Sequence, residues 1–371
     1  MTANATSDAN HMAGALVLAR RGLGLTWPNP SVGCVIVDAN GHIVGRGRTA
    51  NGGRPHAETE ALKQAGARAA GGTAYVTLEP CAHTGQTGPC ADALVAANIA
   101  RCVVGIEDPD PRTAGQGIAK LKAAGITVTL GVRRAASLDV TAGFLSRVKK
   151  GRPFFELKAG MTIDGRIAAH TGASKWITGE PARARGHLMR AEADAVLCGI
   201  GTAIADDPQL DVRLPGLSSR KPIRIVADAR LRLPLTAKLA RSAKTQPLWL
   251  LARADADKGR AGAFRDLGAE IITVPMLPTG ELDLIAAAAE LGARGLTRVL
   301  VEGGGRIAGA MIRAGLIDRF HAFRAGLVMG GDGLPAVAGM GVTGPDVAPR
   351  FHLTHMAQVG DDVLESWAAH D

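Results

Sequence analysis

Short apolar runs alternate with helix-forming stretches along this chain, and the alternation breaks once and then restarts. Before the break, strands are predicted at 33–37, 42–45, 74–78, 102–106 and 126–130, with an Asn40-Gly41 turn closing a hairpin between the first two. Helices are predicted at 8–21, 59–70, 91–97, 118–124 and 137–150. The segment Lys149-Lys150-Gly151-Arg152-Pro153 then interrupts the pattern with charge, glycine and proline. Beyond it, strands are predicted at 154–158, 195–199, 223–227, 247–251, 271–274 and 298–301, and helices at 181–193, 282–293 and 306–314. The last stretch, HLTHMAQVGDDVLESWA, alternates like an antiparallel hairpin turning at Gly360. Such a chain folds as two α/β domains of sheet covered by helices, 1–150 and 151–371.

With 46% hydrophobic and 21% charged residues over 371 positions, disorder, collagen and coiled coil are excluded. Lys and Arg number 43 against 34 Asp and Glu, a net charge of +9 that suits phosphorylated substrates or nucleic acid. Aromatic residues are only 3%, too few for a protein that stacks bases along a strand. No stretch is long and apolar enough for a membrane helix, and the N-terminal segment lacks the basic start of a secretory signal. Five thinly spread cysteines fit a reducing compartment, so the expected location is the cytoplasm. Cys34, Cys102 and Cys198 lie in apolar strands and read as small core residues.

The remaining two cysteines carry chemistry. His56-Ala57-Glu58 opens a predicted helix, Glu79-Pro80-Cys81 ends a strand, and Cys90 starts the next helix. An imidazole and two thiolates suit tetrahedral Zn²⁺, and helix N-termini favour deprotonated sulfur. Three protein ligands leave the fourth position to water, whose pKa falls to about 7 on such a metal. Glu58 is then placed to carry protons between that water and a leaving amine. The pattern matches the H-x-E…P-C-x-x-C signature of zinc deaminases, except that eight residues rather than two separate Cys81 and Cys90. The rival is a closed structural knot with His83 as fourth ligand, which leaves Glu58 without a purpose.

In the second half, Val299–Val301 lead through Glu302-Gly303-Gly304-Gly305 into a helix, a turn able to hold phosphate or to be a bare tight turn. Polar groups follow other predicted strands: Lys158 to Arg166, Ser174 to Thr178, Gly201-Thr202, and Ala205-Asp206-Asp207-Pro208 with Arg213. Ligands of α/β sheets bind just past strand C-termini.

Together, WPNPSVGCVIV, HAETEAL, YVTLEPCAHTGQTGPC, EDPDP, LKAGMTIDGRIA, SKWITG, ADDPQLDVR and VEGGGRIAGAMI closely resemble the bacterial bifunctional riboflavin-biosynthesis deaminase–reductase family, over nearly the whole chain. The resemblance implies a cytidine-deaminase-like N-terminal domain and a dihydrofolate-reductase-like C-terminal domain. The first would use zinc to replace the 2-amino group of a diaminopyrimidinone bearing a phosphoribosylamino group. The second would reduce the ribosyl side chain to ribityl with NADPH. By resemblance, His56, Cys81 and Cys90 are zinc ligands, Glu58 the proton shuttle, and Asn29 and His83 pyrimidine contacts. Gly160, Trp176, Thr202, Asp206, Ala229 and the turn Gly304, Gly305, Arg306, Ile307, Ala308, Gly309 and Ala310 match cofactor positions. Ser174, Arg190, Leu210, Arg213 and Glu302 match substrate positions, with Arg190 and Arg213 as guanidinium forks for the phosphate; Lys158 is a further candidate for the ribose end on its position in the chain alone.

The chain departs from the family at Thr49, Gln86, Gly88 and Asp110, positions expected to touch the ribose phosphate of the deaminase substrate. The expected partners are small phosphorylated pyrimidines, with no nucleic acid and no membrane, in a homo-oligomer. The rival functions are a tRNA or nucleoside deaminase with an unrelated appendage, and a zinc-knotted nucleotide-sensing module.

Overall fold

The computed structural model describes residues 3–83, 88–110 and 114–370, so Gln86 lies outside the described residues. By internal contacts the chain divides into two compact units, Met1–Gly151 and Arg152–Asp371.

The first unit runs α1 (Ala3–Gly22), β1 (Gly33–Val37), β2 (Ile43–Arg48), α2 (Ala57–Ala65), β3 (Thr73–Val76), α3 (Cys90–Ala96), β4 (Arg101–Val104), α4 (Gln116–Ala123), β5 (Thr127–Leu130) and α5 (Arg134–Lys150). Its sheet has the order β2-β1-β3-β4-β5, with β1 antiparallel to both neighbours and β3, β4 and β5 parallel. All five residues of β1 are buried because helices cover both faces. Val35 and Val37 pack with Met12, Leu16 and Val140. Cys34 and Ile36 point the other way, into a core with Ala61, Leu94 and Leu121, as the two-residue period of a strand dictates. A Cβ on Gly47 of β2 would overlap the Ala57 carbonyl, so this glycine lets the first turn of α2 lie directly on the sheet.

The second unit runs β6 (Phe154–Thr162), β7 (Arg166–Ala168), α6 (Glu180–Glu192), β8 (Ala195–Gly199), α7 (Ile200–Asp206), β9 (Ile223–Ala227), α8 (Lys238–Arg241) and β10 (Leu248–Ala252). It continues with α9 (Lys258–Asp266), β11 (Glu270–Thr273), α10 (Leu284–Ala293), β12 (Arg298–Glu302), α11 (Gly305–Arg313), β13 (Ile317–Ala325), β14 (Leu334–Pro335), β15 (Phe351–Val359) and β16 (Asp362–Ala369). The main sheet has the order β11-β10-β9-β8-β12-β6-β13-β16-β15. Strands β11 through β13 in that order are parallel, and β16 and β15 close the edge as an antiparallel hairpin with Gly360 at φ 67. From β8 the chain steps outward through β9, β10 and β11, whereas β12 lies on the other side of β8. That reversal opens a crevice beyond the C-terminal ends of β8 and β12.

Several elements are absent from the sequence reading: helices α7, α8 and α9, the short strands β7 and β14, and the long strand β13 at 317–325. The polar residues of β13 disguise it: Arg319 and His321 approach the buried Glu156 at 3.8 and 3.3 Å, and Arg324 pairs with Glu365 at 3.0 Å. Cys34, Cys102 and Cys198 are fully buried free thiols. Among the described residues, no helix is long and apolar enough to cross a membrane.

Candidate active sites

His56 is the N-cap residue of α2 and Cys90 the first residue of α3, while Cys81 follows β3 in the Glu79-Pro80 turn. Buried Glu79 holds that turn by accepting N–H bonds from Asp108, Gly115 and Ile118 at 3.1, 3.0 and 3.0 Å. The His56 Nδ1 lies 3.6 Å from the Cys81 Sγ and 3.3 Å from the Cys90 Sγ. One imidazole nitrogen and two sulfurs bound to a tetrahedral zinc lie roughly 3.6 Å apart, from bond lengths of about 2.1 and 2.3 Å. Among the described residues these three donors converge, and His83 is not part of the group. The donor set fits zinc.

Its electrostatics point the same way. A hydrogen bond from the Cys90 thiol, reinforced by the His56 ring and the Cys90 N–H, pulls the Cys81 pKa down to about 4. Beside that thiolate Cys90 is pushed far up, because two adjacent sulfurs cannot both ionise without a cation. Glu58, in the first turn of α2, is 4% exposed, and burial pushes its carboxyl up to about 7.

Asn29 stands against Gly53, where a Cβ would overlap its side chain, and Gly53 has φ 89. Thr49, expected near the ribose phosphate, is engaged with the backbone. It is 2% exposed, and its hydroxyl donates to the Pro30 carbonyl at 3.0 Å and accepts the Val32 N–H at 2.9 Å. Asp110 is likewise buried, at 5% exposure, while Gly88 is exposed.

In the second unit the polar residues gather at strand C-termini. Glu302 ends β12, and α6 brings Arg190 onto it through hydrogen bonds of 2.6 and 2.9 Å. A third Arg190 N–H reaches the Asp211 carbonyl at 2.9 Å. The sequence reading gives Arg190 to the substrate phosphate; the structure instead closes its fork on Glu302, leaving Arg213 as the exposed guanidinium. Burial alone would raise the Glu302 pKa, but the Arg190 charge and hydrogen bonds hold it near about 2. Burial lowers the pKa of Lys158, two residues before Gly160 on β6, against the opposing pull of Glu302.

Sequence reasoning missed His187, whose Nδ1 lies 3.3 Å from the Arg213 N–H and 3.2 Å from the Asp211 carbonyl. The signal was its i,i+3 spacing to Arg190 on one helix.

The glycine turn is part site and part packing. Gly304 caps α11 and its N–H donates to the Thr202 hydroxyl of α7 at 2.9 Å, across the crevice. Gly305 and Gly309 face the chain itself: a Cβ would overlap the Pro335 or the Ala338 carbonyl. Ala308 is buried as well, whereas Arg306 is exposed and Ile307 and Ala310 are half-buried. Asp206 ends α7 on the surface, and Ala229 follows β9 with its carbonyl accepting the Arg253 N–H at 3.1 Å. Leu210, at φ 51, buries its side chain in the core, so only its backbone can face a ligand. Ser174 is half-buried, and Trp176, 71% exposed, lies under the Arg183 guanidinium at 4.6 Å.

Residues 153–364 match the RibD C-terminal domain family, and 5–106 match the cytidine and deoxycytidylate deaminase zinc-binding region. This chain belongs to the RibD family. It is 40% identical to the riboflavin biosynthesis protein RibD of Escherichia coli K12, over 96% of this chain and 98% of that protein. It is 37% identical to RibD of Bacillus amyloliquefaciens, over 95% and 94%. Among solved structures, Acinetobacter baumannii RibD superposes with a TM-score of 0.86 at 36% identity, covering 99% of this chain and 100% of that one. The Thermotoga maritima diaminohydroxyphosphoribosylaminopyrimidine deaminase/5-amino-6-(5-phosphoribosylamino)uracil reductase gives 0.86 at 30%, with the same coverage. As a RibD protein, the chain joins a zinc-dependent deaminase of cytidine-deaminase type to an NADPH-dependent reductase of dihydrofolate-reductase type, serving riboflavin biosynthesis. An unrelated appendage is ruled out, because the match runs through both units.

Proposed function

We propose that the first unit hydrolyses the 2-amino group of 2,5-diamino-6-(5-phosphoribosylamino)pyrimidin-4-one, and that the second reduces the ribosyl group of the resulting 5-amino-6-(5-phosphoribosylamino)uracil to ribityl. The observation that carries the reading is the convergence of His56, Cys81 and Cys90 with Glu58 buried one turn into the same helix as the histidine. His56, Cys81 and Cys90 would hold the metal. When bound, zinc supplies the Lewis acidity that makes water nucleophilic near neutral pH. Glu58 accepts the proton released by the attacking water and returns it to the departing amine, so that water and an amino group become a carbonyl and ammonia. Its burial keeps the carboxyl close to the pH at which both transfers are favourable. Asn29 and His83 lie in this unit and are assigned to the pyrimidine.

In the second unit, Thr202, Gly304 and the start of α11 form the cofactor's phosphate cradle, with Gly160, Trp176, Asp206 and Ala229 along it. NADPH supplies the two electrons. Lys158 and Glu302 face the sugar, where half-buried Lys158, its pKa lowered by desolvation, is suited to hand a proton to a ribose oxygen. Arg190 keeps Glu302 ionised and oriented, and Arg213 with Ser174 takes the phosphate end. The reading also makes the enzyme a cytoplasmic homo-oligomer that acts on small molecules and not on nucleic acid.

Incubating the purified protein with the diaminopyrimidine phosphate, with and without NADPH, tests the reading. Without cofactor, the product should carry one oxygen in place of one NH; with it, a further two hydrogens. Substrate returned unchanged in both tubes would overturn it.

A further inference from the structure

Helix α6 carries Gly186, His187 and Arg190 within one turn of each other, beside the reacting end of the second unit. A Cβ on Gly186 would stand 3.5 Å from the Lys158 Cε, so the helix lies directly on that lysine. Arg190 closes on Glu302 and also donates to the Asp211 carbonyl at 2.9 Å. His187 touches the same carbonyl, with its Nδ1 at 3.2 Å. Its other nitrogen, Nε2, lies 3.4 Å from an Arg213 Nη2. An unbroken line of contacts therefore runs from Glu302 through Arg190, the Asp211 carbonyl and His187 to Arg213.

These contacts select one form of the ring. A carbonyl only accepts and a guanidinium only donates. The neutral tautomer with its proton on Nδ1 satisfies both, donating to Asp211 and accepting from Arg213. The other tautomer points an N–H at the guanidinium and a lone pair at the carbonyl, and gains only the Arg213 backbone N–H, 3.3 Å from Nδ1. An imidazolium keeps the Asp211 bond, has no acceptor left for Arg213 and stands against its charge. The charged groups around the ring are Arg190 on its own helix, Asp211 and Arg213 on the loop after α7, Glu302 of β12, and Lys158 of β6 under Gly186. Burial, and then the charges of Arg190 and Arg213, hold the His187 pKa below its ordinary 6.5.

Arg213 itself is loosely kept. Its side chain is 61% exposed, and the Asp211 carboxylate stands 3.8 Å from its Nε, beyond hydrogen-bond length. A long exposed side chain loses rotamer freedom when it grips a ligand, and an acceptor already in place behind the guanidinium lowers that cost.

We propose that His187 is a positioning residue for the substrate phosphate: its Nε2 accepts from Arg213 and holds that guanidinium ready for the phosphate end of the ribosyl substrate, and protonation of the ring in acid releases it. The proposal rests on reading Arg213 as the phosphate contact of the reductase.

The test is steady-state reduction of 5-amino-6-(5-phosphoribosylamino)uracil by the full chain at saturating NADPH. At pH 7.5, His187→Ala should raise KM by about tenfold or more, the worth of a hydrogen bond to a charged group, with kcat within about twofold of the parent. His187→Gln, whose amide oxygen accepts at any pH, should recover most of the loss. Between pH 7.5 and pH 5 the parent's KM should rise toward that of His187→Ala. His187→Gln should show only the shallower change that comes from the substrate's own phosphate. Adding His187→Ala to Arg213→Ala should raise KM no further than Arg213→Ala alone, because the two residues act as a unit. Additive effects, or an acid limb as steep in His187→Gln as in the parent, would overturn the proposal and leave Arg213 as the phosphate contact. A parent KM that falls in acid relative to His187→Gln would make the ring a cationic ligand of the phosphate, and overturns it too. If Arg213→Ala alone leaves KM at the parent value, the phosphate reading fails and the proposal falls with it.

Discussion

Arg190, near the end of α6, and Glu302, the last residue of β12, meet through paired hydrogen bonds of 2.6 and 2.9 Å, with only 16% and 13% of their side chains exposed. The pair ties a helix to the strand that opens the glycine turn. It joins two residues that each look, in sequence, like an independent ligand contact.

That pairing makes stability depend on acid. The Glu302 pKa in the folded chain is near about 2, below the ordinary value of 4.5, so its contribution is complete above the unfolded value and is lost as pH falls through the folded one. The shift corresponds to about 3 kcal/mol. Urea unfolding should therefore show Glu302→Gln less stable than the parent at pH 7, with the gap shrinking from pH 5 toward pH 2. A gap independent of pH would mean that the ion pair is not the source.

Glu58→Gln should retain zinc, measured by metal analysis, because the histidine and both sulfurs are untouched. Deamination should fall by about 10²–10⁴-fold, the usual worth of a positioned proton carrier. Reduction of the uracil intermediate with NADPH should be unchanged, since its residues lie in the other unit.

Removing zinc with a chelator should stop deamination and lower the unfolding temperature of residues 1–151 alone. Metal that binds only the folded state stabilises by mass action, and without it Cys81 and Cys90 are adjacent sulfurs competing for one proton. Hydrogen exchange would show the loss of protection in α2 and α3. Equal loss in the second unit would contradict the independence of the sites.

Gly309→Ala should destabilise the second unit by about 1–3 kcal/mol through overpacking against the Ala338 carbonyl. Gly201→Ala in α7 meets nothing within 4 Å and should be neutral or stabilising by up to about 1 kcal/mol. Denaturant melts of the two variants give the comparison; equal effects would mean that residues 335–338 do not press on α11.

How far the sequence reaches depends on distance along the chain. His56 and Glu58 sit at the start of one helix and Cys90 begins another, so donor type and helix signals pointed to the metal set although Cys81 and Cys90 lie 25 and 34 positions from His56. Strands β8 and β9 and the closing hairpin were equally plain, because a strand's period of two and a glycine turn are short-range properties. Strand β13 was hidden, since its arginines and histidine are acceptable inside only beside Glu156 and Glu365, on other strands. The two backbone partners of the Thr49 hydroxyl, at Pro30 and Val32, were equally invisible in the sequence. The same limit applies to Arg190 and Glu302, 112 positions apart. Residue type fixes what a side chain can bind, but strand order and burial decide which partner lies within reach, and those are properties of the folded sheet.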